Sequence, residues 1–261
     1  MGQGPEKLEI KCLYANLQSI NSKKLEIAMR LKEETYHILF FTEIWVNEET
    51  DVSEFAFPGF QSPVVDANIR GGACIFVRDG LSYSVLQPPG KMAESVWITL
   101  KTEDNIQRVY ACIYRSPNSP VDNNEDLLRN VEWVTSNFTE SILVGDFNLP
   151  HIEWENETGT SNFDKKFLDN LRGNALEQII SEPTRFRHGQ TPSLLDLLLA
   201  SDPNMINMVQ ILDPFGKSDH CSIAFTVKNR IIIDNCDKVR LDYDKIDNIK
   251  FCDMMLLQQL E

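Results

Sequence analysis

The chain has 261 residues, 42% of them hydrophobic, and its 25 basic and 39 acidic side chains leave a net charge of −14. That length and mixture suit one large domain with a sizeable core and exclude disordered, collagen-like and fibrous chains. The negative balance excludes a protein that coats phosphate backbones non-specifically, but it accommodates an enzyme that gathers carboxylates around a divalent cation. The six cysteines (Cys12, Cys74, Cys112, Cys221, Cys236 and Cys252) are scattered without the close spacing of a zinc knuckle or redox motif. They read as reduced, mostly buried thiols of an intracellular protein. The first six residues lack the apolar run of a signal peptide, and no segment reaches the length of a membrane span, so a soluble protein is expected.

In chain order, Leu8 to Tyr14 reads as a strand leading into Asn16, and Lys23 to Glu34 as a helix with Leu25, Ala28, Met29 and Leu31 at helical spacing. His37 to Phe41 is a continuous apolar run of the kind covered on both faces, and it delivers Thr42 and Glu43 at its end. From Phe57 to Tyr114, short strands broken by Pro and Gly (Ala73–Val77, Ser95–Leu100, Val109–Tyr114) predict an antiparallel meander. A helix over Asn124 to Phe138 shows Leu127, Val131, Val134 and Phe138 on one face, and the strand Ile142–Val144 runs into Gly145-Asp146-Phe147-Asn148. Phe163 to Leu171 is expected as helix, and Ser193–Ala200, Met205–Leu212 and His220–Val227 as strands. Residues 1–228 thus form the domain. Residues 229–261, richer in Asp, Asn and Lys, read as a linker or the start of a following region, with Met254–Leu260 as an amphipathic helix without a partner.

Polar residues at the ends of apolar strands are where side chains can converge on a ligand outside the core. Asn16, Glu43, Asp146 with Asn148, Asp196, and Asp219 with His220 hold such places. Singly, each suits a turn or a helix cap equally well. Together they supply what phosphodiester cleavage requires: Glu43 as a hard oxygen ligand, Asp146 to orient or deprotonate water, and the Asn16 and Asn148 amides as phosphate donors. Asp196 lies in an otherwise apolar run, where an unpaired charge is costly; His220 is the expected partner, a backbone turn the alternative. Thr184 to Gln190 is a basic patch with an aromatic residue, Phe186, and a Gly turn, flanked by expected strands. It reads either as a DNA-contacting loop or as an ordinary solvated turn. Arg70, Arg115, Arg185 and Arg187 are candidate phosphate contacts. Gly71-Gly72 lacks the spacing of a Walker or Rossmann loop, so no nucleotide cofactor is expected.

Gly145-Asp146-Phe147-Asn148 and Ser218-Asp219-His220, with Thr42-Glu43 upstream, resemble the motifs of the endonuclease/exonuclease/phosphatase superfamily. Thr42-Glu43-Ile44-Trp45, Tyr114-Arg115-Ser116-Pro117 and Pro183-Thr184-Arg185 before Ser193-Leu194-Leu195-Asp196 resemble its non-LTR retrotransposon branch. The resemblance implies an α/β fold, a DNase I-like four-layer sandwich of two packed mixed sheets flanked by helices. It implies an Mg²⁺-dependent (alternatively Mn²⁺-dependent) endonuclease that nicks double-stranded DNA and leaves a 3′-hydroxyl for target-primed reverse transcription, beside a reverse transcriptase region in a parent polyprotein and in the nucleus. By the same resemblance Glu43 is the metal ligand, Asp219 assists the metal or the leaving group, Asp146 activates water, Asn16 and Asn148 position the phosphate, and Tyr114 contacts it. His220 with Asp196 would stabilise the transition state. Gln18 stands where repair nucleases of the superfamily carry an Asp, which removes one carboxylate from the metal side. A lipid or inositol phosphoesterase on the same scaffold, or a silent retroelement fragment, remain as alternatives at this stage.

Overall fold

The computed structural model describes residues 9–102 and 105–228. In chain order the elements are β1 (Ile10–Asn16), α1 (Lys24–Glu33), β2 (Ile38–Thr42), β3 (Val64–Asp66), β4 (Ala73–Val77), β5 (Tyr83–Val85), β6 (Ser95–Lys101) and β7 (Gln107–Tyr114). They continue with α2 (Val121–Asn137), β8 (Glu140–Asp146), the short pair β9 (Ile152–Glu153) and β10 (Thr158–Gly159), and α3 (Asn162–Gly173). The last are β11 (Glu177–Gln178), β12 (Asp196–Ala200), β13 (Ile206–Leu212) and β14 (Ser222–Val227). The expected helix at Met254–Leu260 lies outside the described residues.

Two mixed six-stranded sheets result, one ordered β13-β14-β1-β2-β4-β3 and the other β11-β12-β8-β7-β6-β5. Alternate residues of each strand face the other sheet. Cys12 and Tyr14 of β1, Ile38 and Phe40 of β2, Tyr110 and Cys112 of β7, Ile142 and Val144 of β8, and Leu198 and Ala200 of β12 share one buried cluster. The opposite faces are covered as well: Val109, Ala111, Leu143 and Leu199 lie beneath Leu127, Val131 and Val134 of α2 and Phe167 and Leu171 of α3. Leu13, Leu39, Phe41 and Phe76 pack against Ile27 of α1 and the loop residues Phe55, Phe57 and Phe215. Burial on both faces is why β2, β8 and β12 carry apolar residues at successive positions instead of alternating with polar ones. The result is the sandwich architecture expected from the sequence.

Two expectations change. The stretch Phe57–Tyr114 is not one meander: β3 and β4 complete the first sheet, while β5, β6 and β7 run antiparallel in the second. Gly- and Pro-containing loops carry the chain from one sheet to the other, and turn signals alone do not reveal that switch. On α1 the buried residue is Ile27, whereas Leu25 and Met29 are 66% and 55% exposed. A helix lying on the face of a sheet buries one stripe, and the stripe through Ile27 excludes its neighbours at 25 and 29.

Candidate active site

Strand register assembles the site. Asp146 ends β8 directly opposite Asp196, the first residue of the antiparallel β12, and level with Tyr114 on the parallel β7. In the first sheet Asn16 of β1 lies level with Thr42 of β2. Each of these residues keeps the parity of the inward-facing residues two and four positions away, so all point into the space between the sheets. The candidate site is the polar end of the inter-sheet core.

At its floor, Asp196 is wholly buried. Its Oδ1 accepts from the Tyr14 hydroxyl at 2.6 Å, and its Oδ2 lies 2.8 Å from His220 Nδ1. Tyr14 also shares a 2.9 Å hydrogen bond with the Thr42 hydroxyl. The backbone N–H groups of Leu195 and Asp196 donate to Thr184 Oγ1 at 3.2 and 3.0 Å. His220 Nε2 points towards Asp146, with 4.0 Å to Oδ2. Burial alone would pull the His220 pKa down, but the carboxylates of Asp196, Asp146 and Asp219 outweigh it and push it up to about 10. Its ring is therefore a cationic donor at neutral pH.

Asp146 is pushed up to about 8 by burial, then by the Asp196 carboxylate and, further off, Glu43, against the opposing charge of His220. The Asn148 backbone N–H donates to its Oδ1 at 3.0 Å, and the Asn16 amide nitrogen donates to its Oδ2 at 3.0 Å. The same Asn16 nitrogen donates to Glu43 Oε1 at 2.9 Å, so one amide spans the carboxylates of both sheets. Burial and the carboxylates of Glu43, Asp146 and Glu94 raise the Tyr114 hydroxyl well above its ordinary value, so it stays a neutral donor.

Gly145 is demanded by packing: a Cβ there would lie 1.8 Å from the carbonyl oxygen of Ile113 on the paired strand. Backbone strain collects at this end of the molecule, where Gln18, Ser19, Glu43, Trp45, Glu94 and Asn148 all adopt positive φ. Such conformations cost energy at non-glycine residues and accumulate at functional sites.

Asp146, Asp196 and His220 offer ligand-type atoms all within 4.8 Å of one another. Within that trio both Asp196 oxygens are already engaged by Tyr14 and His220, so Asp196 serves the histidine better than it would serve a cation. The hard-oxygen position is Glu43. Beside it, Asn16 Oδ1 is buried and has no hydrogen-bond partner among the described residues, an orphaned acceptor of the kind a divalent cation satisfies. The residues present fit such an ion.

Other sequence candidates fall elsewhere. Arg115, expected at a phosphate, is 7% exposed and faces the protein: its Nε donates to Asn124 and its Nη1 to the carbonyls of Phe147 and Asn148, with its guanidinium 4.7 Å from the Phe163 ring centroid. It fixes the loop after β8, because its long side chain folds back over carbonyls that this turn leaves unpaired. The Asn148 side-chain amide likewise donates to the Arg115 carbonyl, at 3.0 Å. Arg70 and Arg187 are exposed, and Arg185 pairs with Asp219 at 2.9 Å.

Several residues were missed. Tyr14 and Thr184 hold Asp196, and Ser218 donates to the Asn16 carbonyl and accepts from the His220 N–H. Glu94, 8% exposed, accepts from the Gly72 N–H at 2.9 Å while its carbonyl accepts from Tyr114 N. The parity of Tyr14 with Asn16 was the one available signal; the rest depend on tertiary contacts.

A carboxylate–histidine pair, a second carboxylate and an amide-linked glutamate thus meet between the two sheets. Residues 109–224 match the family described as endonuclease-reverse transcriptase. No curated protein matches the sequence. Among solved structures, the endonuclease domain of TRAS1, a telomere-specific non-LTR retrotransposon, aligns with a TM-score of 0.64 at 18% identity, covering 85% of this chain and 100% of that one. An AP endonuclease from Leishmania major aligns at 0.71 and 11% identity over 87% and 90% of the two chains. A 3′ phosphatase from Neisseria, bound to product DNA hairpin, aligns at 0.62 and 16% over 84% and 99%.

Proposed function

We propose that the chain nicks double-stranded DNA, using Mg²⁺ and water and leaving a 3′-hydroxyl that primes reverse transcription by a polymerase region of the parent polyprotein. Nuclear DNA would then be its target. The observation that carries this reading is the Asn16 amide nitrogen, which joins Glu43 to Asp146 and so holds a metal-type carboxylate beside a base-type carboxylate within one cleft.

Glu43 and Asn16 Oδ1 would hold the cation, which supplies Lewis-acid neutralisation of the phosphate charge. Asp146 takes the proton of the attacking water: burial and Asp196 make it more basic than an ordinary carboxylate, and the Asn148 N–H fixes its orientation. His220, protonated and held by Asp196, donates to a phosphate oxygen as charge develops there. The neutral Tyr114 hydroxyl adds a second donor. Arg185, tied to Asp219 beside His220, with the exposed Arg187 and the 52% exposed Phe186 on the same hairpin, gives an acidic protein a local cationic surface for the duplex.

The test is nicking of supercoiled plasmid by purified protein with Mg²⁺ and with EDTA, alongside Asp146→Ala and His220→Ala. Metal-dependent nicking that both variants lose is the expected result. Intact plasmid together with phosphate released from lipid or inositol esters would replace DNA as the substrate, and inertness towards both would overturn the catalytic reading.

A further inference from the structure

Asp219 stands where the family resemblance implies a second carboxylate on the metal side, but both of its oxygens are engaged. Oδ1 accepts from Gln18 Nε2 at 2.7 Å and Oδ2 from Arg185 Nε at 2.9 Å. Neither partner sits on loose chain. The loop carrying Gln18 is laced to the Glu43 segment, with Ser19 N donating to Glu43 O at 2.8 Å and Ile20 N to Ile44 O at 3.0 Å. Arg185 pairs through its backbone with Ser193 on one side and His220 on the other, and Phe186 N donates to the Asp219 carbonyl at 2.8 Å. The Arg185 and Asp219 side chains are only 23% and 21% exposed, so their ion pair belongs to the cleft wall and not to open surface.

The two carboxylates therefore differ in kind. The oxygens of Glu43 face the amide N–H of Asn16 and the indole N–H of Trp45, neutral donors that leave its negative charge uncompensated. Asp219 faces a guanidinium, and its charge is cancelled locally. A divalent ion seeks oxygens with free lone pairs and net negative charge, and a fixed cation in direct contact with the ligand removes both. The loss of an acidic residue at position 18 acts in the same direction, because Gln18 presents an N–H to Asp219 where a carboxylate would have shared an ion with it.

We infer that this protein holds a single divalent cation, at Glu43, and that Arg185, held by Asp219 (whose other oxygen accepts from Gln18), takes the place of a second one as a permanent positive ligand for a phosphate oxygen. The inference rests on the nuclease reading for the identity of the phosphate, whereas the number of ions stands independently of it. A guanidinium anchored through Nε presents its two terminal amino groups as a planar fork, which matches the spacing of phosphate oxygens and does not vary with metal concentration.

The test counts bound Mn²⁺ by electron paramagnetic resonance of the free ion during titration of the full chain, with circular dichroism to check that each variant is folded. One ion per wild-type chain, lost in Glu43→Gln and retained with affinity within twofold in Asp219→Asn, is the expected pattern. The double variant Gln18→Asp/Arg185→Ala, which frees Asp219 and adds a carboxylate beside it, should bind a second ion. Two ions in the wild type, an ion lost from Asp219→Asn, or a double variant that still binds one would each overturn the inference. A wild-type chain that binds no ion would instead sink the metal-dependent reading itself. One bound ion without plasmid nicking would leave the count standing and remove the DNA substrate.

Discussion

Replacing Asp196 by Asn keeps the shape of the buried side chain and removes the charge that faces His220. Taking the His220 pKa from its ordinary 6.5 to about 10 corresponds to roughly 5 kcal/mol of preference for the protonated ring, at about 1.36 kcal/mol per pH unit. Asp196 is first among the groups that raise it, ahead of Asp146 and Asp219, and it works against a burial penalty that would persist in the variant. The ring of Asp196→Asn should therefore titrate near neutrality, as read from the histidine carbon and nitrogen shifts of metal-free protein. Nicking at pH 7.5 should fall by about 10²- to 10³-fold, the range typical for loss of a positioned proton donor, and part of that loss should be recovered at lower pH. Linkage adds a second signature. A group whose folded pKa is raised contributes stability that is fully present below its unfolded value near 6.5 and is lost as pH climbs through about 10. The difference in unfolding free energy between wild type and variant should be largest at the acidic end and shrink above pH 9. A variant that nicks within threefold of wild type while its His220 still titrates above 9 would refute the assignment of Asp196 as the residue that keeps the donor charged.

Gly145→Ala should cost about 3 kcal/mol or more, seen as a fall in Tm of several degrees, because its methyl group would meet the Ile113 carbonyl and neither paired strand can retreat from the inter-sheet core. His37, whose Nδ1 accepts from the Lys11 N–H at 3.0 Å, is held down to about 4 by burial and then by Arg78 and Lys11. Its neutral form is favoured by the fold, so stability should be unaffected above pH 6.5 and decline as pH falls to about 4, by less than the full linkage value because solvent screens part of the ring's charge. His37→Gln should flatten that decline in urea titrations compared across pH. Phe186→Ala should weaken duplex binding about tenfold by fluorescence anisotropy in EDTA while the affinity for Mn²⁺ stays as in wild type, since the ring is exposed on the hairpin and offers no ligand atom to a cation.

Much of this molecule could be read before its structure was known, and what could be read follows one rule. Residues that end an apolar strand keep the facing of the strand: Asn16, Asp146 and Asp196 are each an even number of residues from inward-facing core positions, so their convergence is a consequence of period two and strand register. The helices over α2 and α3 were legible for the same reason, with a different period. What could not be read lies in side chains long enough to choose a direction. Arg115 and Arg185 both follow strand ends or loops, both are cationic, and both suit a phosphate on paper. The first turns inward to satisfy the Phe147 and Asn148 carbonyls of the turn after β8, while the second is held at the cleft by Asp219. The choice depends on which acceptors lie within reach once the two sheets have packed, and those acceptors come from segments more than thirty residues away. Sequence periodicity carries facing but not such partners, which is why the convergence of Asn16, Asp146 and Asp196 was legible in the sequence and the direction each arginine takes was not.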